Sequence, residues 1–348
     1  MASLLPEWTA FVAQHPSISH DDPQRNGSFY ANPANSELLT KVHTNDTTVP
    51  GRDHHPIPIR VYTAKETVAP RGLVVFFHSG GFVSGSLETE DIFCRYMALA
   101  GPLSIISVEY RLSPEHVYPV PLNDAWDTLE YILHNIATVL PHSLRPLDLI
   151  IAGTSSGGQL AGIVSQQARV WLDENANESF GHDVKLTGVL LRAPVTVRGD
   201  DPRWIPSRYQ DLHHSWSAEL ETLRLDRADA LGVPVTERCS PKAYPLWGKF
   251  ENLPRTYIQL CDIDILRDDG VCYAQALSDA GVEVRQSLYK AGTLLMNSNS
   301  ILTGHRVYLT SFGYMARIYK SQRQHRRMLY KGLGGCWGWK YKGYCMFL

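Results

Sequence analysis

The segment Gly153-Thr154-Ser155-Ser156-Gly157-Gly158 constrains this chain more than any other. The apolar run Leu147–Ala152 leads into it, and Gln159-Leu-Ala-Gly-Ile-Val-Ser-Gln-Gln follows with helical character. Strand, glycine-flanked turn and helix form the setting in which G-x-S-x-G lifts a serine hydroxyl clear of the backbone. A helix starting at Ser156 also aims its unsatisfied N–H groups at the same spot, where a negative oxygen could rest. A Gly/Ser-rich turn that only packs closely would read the same in isolation. The rest of the chain therefore has to decide.

Other apolar runs repeat the strand pattern. Gly72–His78 is continuous, the mark of a strand buried on both faces. Strands are predicted at 57–63, 103–110, 147–152, 186–192, 255–261 and 282–289, and helices at 89–100, 122–138, 156–170 and 268–280. This alternation implies a fold of the α/β class, with a mostly parallel central sheet and helices on both faces. A short amphipathic helix is expected over 6–15, then a polar stretch to about Gly51. The long insertion between strands 186–192 and 255–261 holds Trp204, Tyr209 and Trp216, and is expected to fold as a lid over the strand ends.

With 348 residues, 44 % hydrophobic and 20 % charged, the chain has the composition of a soluble globular enzyme. A net charge of −2 gives no argument for nucleic acid or a membrane surface. The N-terminus has neither the basic segment nor the apolar core of a signal peptide, and no apolar run approaches membrane-spanning length. Six cysteines, at 94, 239, 261, 272, 336 and 345, form no C-x-x-C and no disulfide-dense spacing, so a cytoplasmic setting is the default expectation. The average hides an asymmetry. Residues 1–283 carry 22 Lys/Arg against 35 Asp/Glu, whereas 284–348 carry 11 Lys/Arg and no acid.

Two further segments bear chemistry. His78-Ser79-Gly80-Gly81-Phe82 directly follows an apolar strand, and glycines there let backbone N–H groups face a ligand. The amides of Gly80, Gly81 and Ser156 are the candidate donors to a tetrahedral oxyanion. His78 precedes the donors and is read as structural. Asp262-Ile-Asp-Ile-Leu-Arg-Asp-Asp-Gly270 follows strand 255–261. A carboxylate at a strand end can hold the Nδ1–H of a histidine. Asp264 is assigned that role, with Asp262 as the alternative, and Asp268 and Asp269 are read as helix caps.

Taken together, these blocks resemble the hormone-sensitive-lipase-like, or GDXG, family of α/β-hydrolase esterases. His78–Phe82 resembles its HGGGF/W block, with Ser79 for the first glycine; Tyr110-Arg-Leu-Ser-Pro-Glu-His116 resembles YRLAPEH. Gly153–Gly158 resembles GDSAGG, with Thr154 for Asp and Ser156 for Ala. Ser240–Leu246 resembles the block before the seventh strand, and Asp264–Gly270 resembles DPLRDEG. The blocks keep the family's order over about residues 50 to 290, and the likeness is greatest to fungal esterases of biosynthetic pathways. It implies serine-dependent hydrolysis of small acyl esters: Ser155 as nucleophile, Asp264 orienting a histidine, and Gly80, Gly81 and Ser156 forming the oxyanion hole.

One block is missing. The family's histidine follows the eighth strand in a segment like YPGAPHGF, but here Tyr289 is followed by Lys-Ala-Gly-Thr-Leu-Leu-Met. The next histidine, His305, stands 16 residues after Tyr289, and His325 follows among arginines. His305 is the nominee for the base. The alternative is that residues 292–348 are not the family's own C-terminus, as a retained intron or shifted frame would produce. The organisation expected is an N-terminal cap segment (1–50), a core (51–291) with the lid at about 197–238, and an atypical basic tail (292–348). No cofactor or metal is implied. The expected partner is a small-molecule ester, not nucleic acid or membrane, and a homodimer is compatible with the sequence. A non-catalytic binding protein on the same scaffold is the other functional class left open.

Overall fold

The computed structural model describes residues 33–67, 69–140, 143, 146–176, 184–214, 230–262 and 264–289. The predicted helix at 6–15, Trp216 of the expected lid, the tail (292–348) and His305 fall outside these residues. Eight strands form one sheet in the order β1-β2-β4-β3-β5-β6-β7-β8. They span Val42–Pro50 (β1), Pro56–Ala64 (β2), Gly72–Phe77 (β3), Leu103–Val108 (β4), Leu147–Thr154 (β5), Val184–Arg192 (β6), Thr256–Cys261 (β7) and Val284–Tyr289 (β8). The β1–β2 and β2–β4 pairs are antiparallel and every other pair is parallel. Helices α1 (Pro33–Lys41), α2 (Asp91–Leu99), α3 (Val120–His134), α4 (Ser156–Glu174) and α5 (Arg267–Asp279) complete the framework.

The polar stretch before Gly51 contains an element the sequence reading did not expect. Val42–Pro50 pairs residue for residue with β2, so the boundary drawn at 50/51 runs through a hairpin. Only Val42 and Val49 of β1 are buried, which is why its sequence carries no apolar run.

Strands β3, β4 and β7 are buried at every position. Their side chains alternate between two cores. Leu73, Val75 and Phe77 join the larger one, built with α3, α4 and α5. Val74 and Phe76 join the smaller one, closed by Phe93, Cys94 and Met97 of α2. Phe76 is fully buried and meets the Phe93 ring edge-on at 5.5 Å. Phe76→Ala should therefore destabilise the fold by about 3–5 kcal/mol, read as a fall in the urea midpoint.

The described flanks of the insertion do fold. Ile205, Tyr209, Leu231 and Val233 are buried in the larger core, and the Trp247 indole donates to the Trp204 carbonyl at 3.0 Å. Tyr209 runs along α5, and its hydroxyl reaches Asp279 at that helix's C-terminal end. It is thus a packing residue. Among the described residues no helix is long and apolar enough to cross a membrane.

Candidate active site

The register of β3, β5 and β6 brings the chemistry together. Phe77 pairs with Gly153, and Thr154 pairs with Arg192, so the segments after β3 and β5 leave the sheet side by side. Ser155 occupies the single residue between β5 and α4. Its φ of +56° and ψ of −115° lie where side chains other than glycine are strained, at about 1–3 kcal/mol. Backbone bonds hold it there. The Ser155 N–H donates to the Arg192 carbonyl at 2.8 Å, while its own carbonyl accepts Gln159 N–H at 3.1 Å and Val195 N–H at 3.2 Å.

The glycines of the motif are required by contact. A Cβ on Gly157 would lie 2.1 Å from the Phe77 carbonyl oxygen, and one on Gly153 would lie 2.1 Å from the Gly157 carbonyl oxygen. Strand β5, the turn and β3 therefore approach each other through bare backbone. At Gly80 (φ +135°) a Cβ would lie 1.8 Å from the Ser84 carbonyl oxygen, so the β3 exit loop is equally committed to glycine.

The structure brings Gly81 and Ser156 together, in a way the sequence does not reveal. The Gly81 N–H donates to the Ser156 hydroxyl at 3.0 Å. A substrate oxygen must compete for that donor, and a developing oxyanion is a much stronger acceptor than a hydroxyl. The structural reading of His78 agrees with its surroundings. It is fully buried, its Nδ1 lies 2.7 Å from the Ser79 carbonyl, and its ring stacks on Tyr110 at 4.3 Å. The Tyr110 hydroxyl donates to the His78 carbonyl at 2.7 Å. Burial pushes the Tyr110 phenol well above its ordinary range, so it remains a donor at any working pH.

Asp264 is buried just past β7, and its Oδ1 accepts the Leu266 N–H at 2.9 Å. Strand β7 lies two places from β5, about 10 Å along the sheet. An imidazole can bridge such a gap. The Asp262 N–H continues the ladder by donating to the Tyr289 carbonyl at 3.0 Å.

Asp268 and Asp269 sit in the first turn of α5, where acidic side chains favour the helix dipole, and their carboxylates also bond beyond the helix. Asp268 accepts the His214 N–H at 2.9 Å. Asp269 accepts the amides of Thr196 and Val197 at 3.0 and 3.3 Å and pairs with His213 Nε2 at 2.9 Å. These bonds fasten the base of the insertion to α5 and the β6 exit. Sequence reasoning missed this pair because its members lie 56 positions apart.

Residues 74–293 match the family described as alpha/beta hydrolase fold. The chain belongs to that family. It is 31 % identical over 252 residues to carboxylesterase NlhH of Mycobacterium tuberculosis, covering 72 % of this chain and 74 % of that protein. It is 29 % identical over 236 residues to the FAD-linked oxidoreductase pytB of Aspergillus terreus, covering 66 % of this chain and 27 % of that protein. The structure also superposes on a hyperthermophilic esterase from Pyrobaculum calidifontis with a TM-score of 0.69 and 24 % identity, covering 92 % and 99 % of the two chains. That likeness concerns the fold.

Proposed function

We propose that this protein is a serine-dependent carboxylic ester hydrolase acting on small acyl esters. The observation that carries the reading is Ser155, held at φ +56° on the strand–helix turn beside the Gly80–Gly81 loop. A hydroxyl presented there attacks an ester carbonyl, and the acyl-enzyme is then cleaved by water. The amides of Gly80, Gly81 and Ser156 receive the oxyanion, and Asp264 orients the imidazole that moves the proton. His305 is the sequence's nominee for that imidazole. Its place in the family pattern, however, falls within a few residues of the end of β8, and there this chain has no histidine. Slow turnover by this chain is the consequence. The same observation favours one second reading, a small-molecule-binding protein that does not turn its ligand over. A fluorophosphonate probe separates the two: labelling of the wild-type protein supports the hydrolase, and saturable ligand binding without labelling supports the binder.

The likeness to carboxylesterase NlhH supports the ester class. An acylated biosynthetic intermediate is the substrate suggested by the resemblance of the motif blocks to fungal pathway esterases. Exposed large hydrophobics such as Leu39, Val83, Leu99, Val170 and Leu288 are spread over separate segments, which offers no lipid-docking face among the described residues. On p-nitrophenyl esters, kcat/KM should fall by about tenfold or more from butyrate to palmitate. A profile rising towards palmitate would sink the small-acyl assignment.

A further inference from the structure

Glu90 immediately precedes α2 and is 8 % exposed. Its Oε2 accepts the Ser79 N–H at 3.0 Å. Its Oε1 accepts the Thr154 hydroxyl at 2.8 Å and Arg192 Nη1 at 2.7 Å. Each of these partners touches the reactive segments. Ser79 precedes Gly80, Thr154 precedes Ser155, and Arg192 supplies the carbonyl that binds the Ser155 N–H. One buried carboxylate thus ties together the exits of β3, β5 and β6.

Position 154 makes this arrangement informative. The GDSAGG pattern has an aspartate there, whereas this chain has a threonine, which donates where a carboxylate would accept. Arg192 Nη1 lies 3.2 Å from the Thr154 hydroxyl, so a carboxylate at 154 would also meet the guanidinium. We infer that Glu90 supplies, from the α2 side, the carboxylate that position 154 lacks, and that it is a positioning residue holding the oxyanion loop in register with Ser155. This rests on the ester-hydrolase reading. Glu90 is not aimed at substrate. It acts through the Ser79 amide and the Thr154 hydroxyl, and a displacement of about 1 Å in either partner can cost about 10²-fold in rate.

The test uses the full chain and a fluorophosphonate, reading the inactivation constant kinact, the binding constant KI and the thermal midpoint. Glu90→Gln should lower kinact about tenfold or more while KI stays within about twofold. Moving the charge, with Glu90→Gln and Thr154→Asp together, should restore kinact to within about threefold of wild type, a recovery that loss of packing alone would not give. Thr154→Val keeps the volume and the Glu90–Arg192 pair, and should lower kinact about threefold. It provides the reading should Glu90→Gln fail to fold. Wild-type kinact in a folded Glu90→Gln or in Thr154→Val, or no recovery in the double variant, would overturn the inference alone. Absence of any wild-type labelling that depends on Ser155 would overturn the ester-hydrolase reading and this inference with it.

Discussion

Ser155→Ala should abolish both fluorophosphonate labelling and esterase turnover, with a thermal midpoint close to that of the wild type. The hydroxyl is the only atom removed, and 5 % exposure of the residue means that no large surface changes. Ser155→Gly sharpens the test. The strain at φ +56° and ψ −115° is a cost of the side chain, and glycine does not pay it. Relief of about 1–3 kcal/mol should raise the midpoint by about 2–4 °C per kcal/mol while reactivity stays at zero. A residue that is at once inactivating and stabilising when truncated is one kept for chemistry at the expense of the fold. Retained wild-type turnover in Ser155→Ala would remove Ser155 from the mechanism. Falls in midpoint for both variants would show that the turn depends on the hydroxyl instead.

The parts of this structure that were legible in the sequence are those where one local constraint acts alone. Buried parallel strands must be apolar on both faces, so β3, β4 and β7 announce themselves. Gly153 and Gly157 are dictated by carbonyl oxygens only 2.1 Å from where a Cβ would be, and such a requirement leaves glycine in the sequence. Strand β1 was hidden for the opposite reason. As an edge strand with two buried residues, it needs pairing but little apolar surface. The Glu90 clamp was hidden by distance. It lies where the predicted helix 89–100 begins, and its partners Thr154 and Arg192 are 64 and 102 positions away. The further partners of Asp268 and Asp269 were hidden because a helix first turn explains acidic residues adequately without them. These partners come from the β6 exit and the insertion, which only the assembled fold brings near. The Ser156 hydroxyl escaped notice because the position was valued for its backbone amide.

The missing base yields the second large effect. A serine hydroxyl is a weak nucleophile at neutral pH unless a base within about 2.6–3.2 Å takes its proton. In the family segment YPGAPHGF the histidine stands five residues after the tyrosine. The corresponding position here is Leu294, five after Tyr289, and the family match itself ends at residue 293. Tyr289 closes β8, which pairs in parallel with β7, so the chain leaves the sheet at the same edge as Asp264. The wild-type chain should therefore hydrolyse p-nitrophenyl acetate slowly, by attack of Ser155 without a positioned base, about 10²–10⁴-fold below the rate of a site that has one. Leu294→His should raise kcat about 10²-fold or more, since a positioned acid–base group contributes about 10²–10⁴-fold. The gain should vanish when Asp264→Asn is added, because the imidazole then loses the carboxylate that orients it. His305→Ala should leave the slow wild-type rate within about twofold. If His305→Ala instead abolishes a fast wild-type rate, and Leu294→His adds nothing, then His305 is the base and the tail completes the triad by a route that the family pattern does not use.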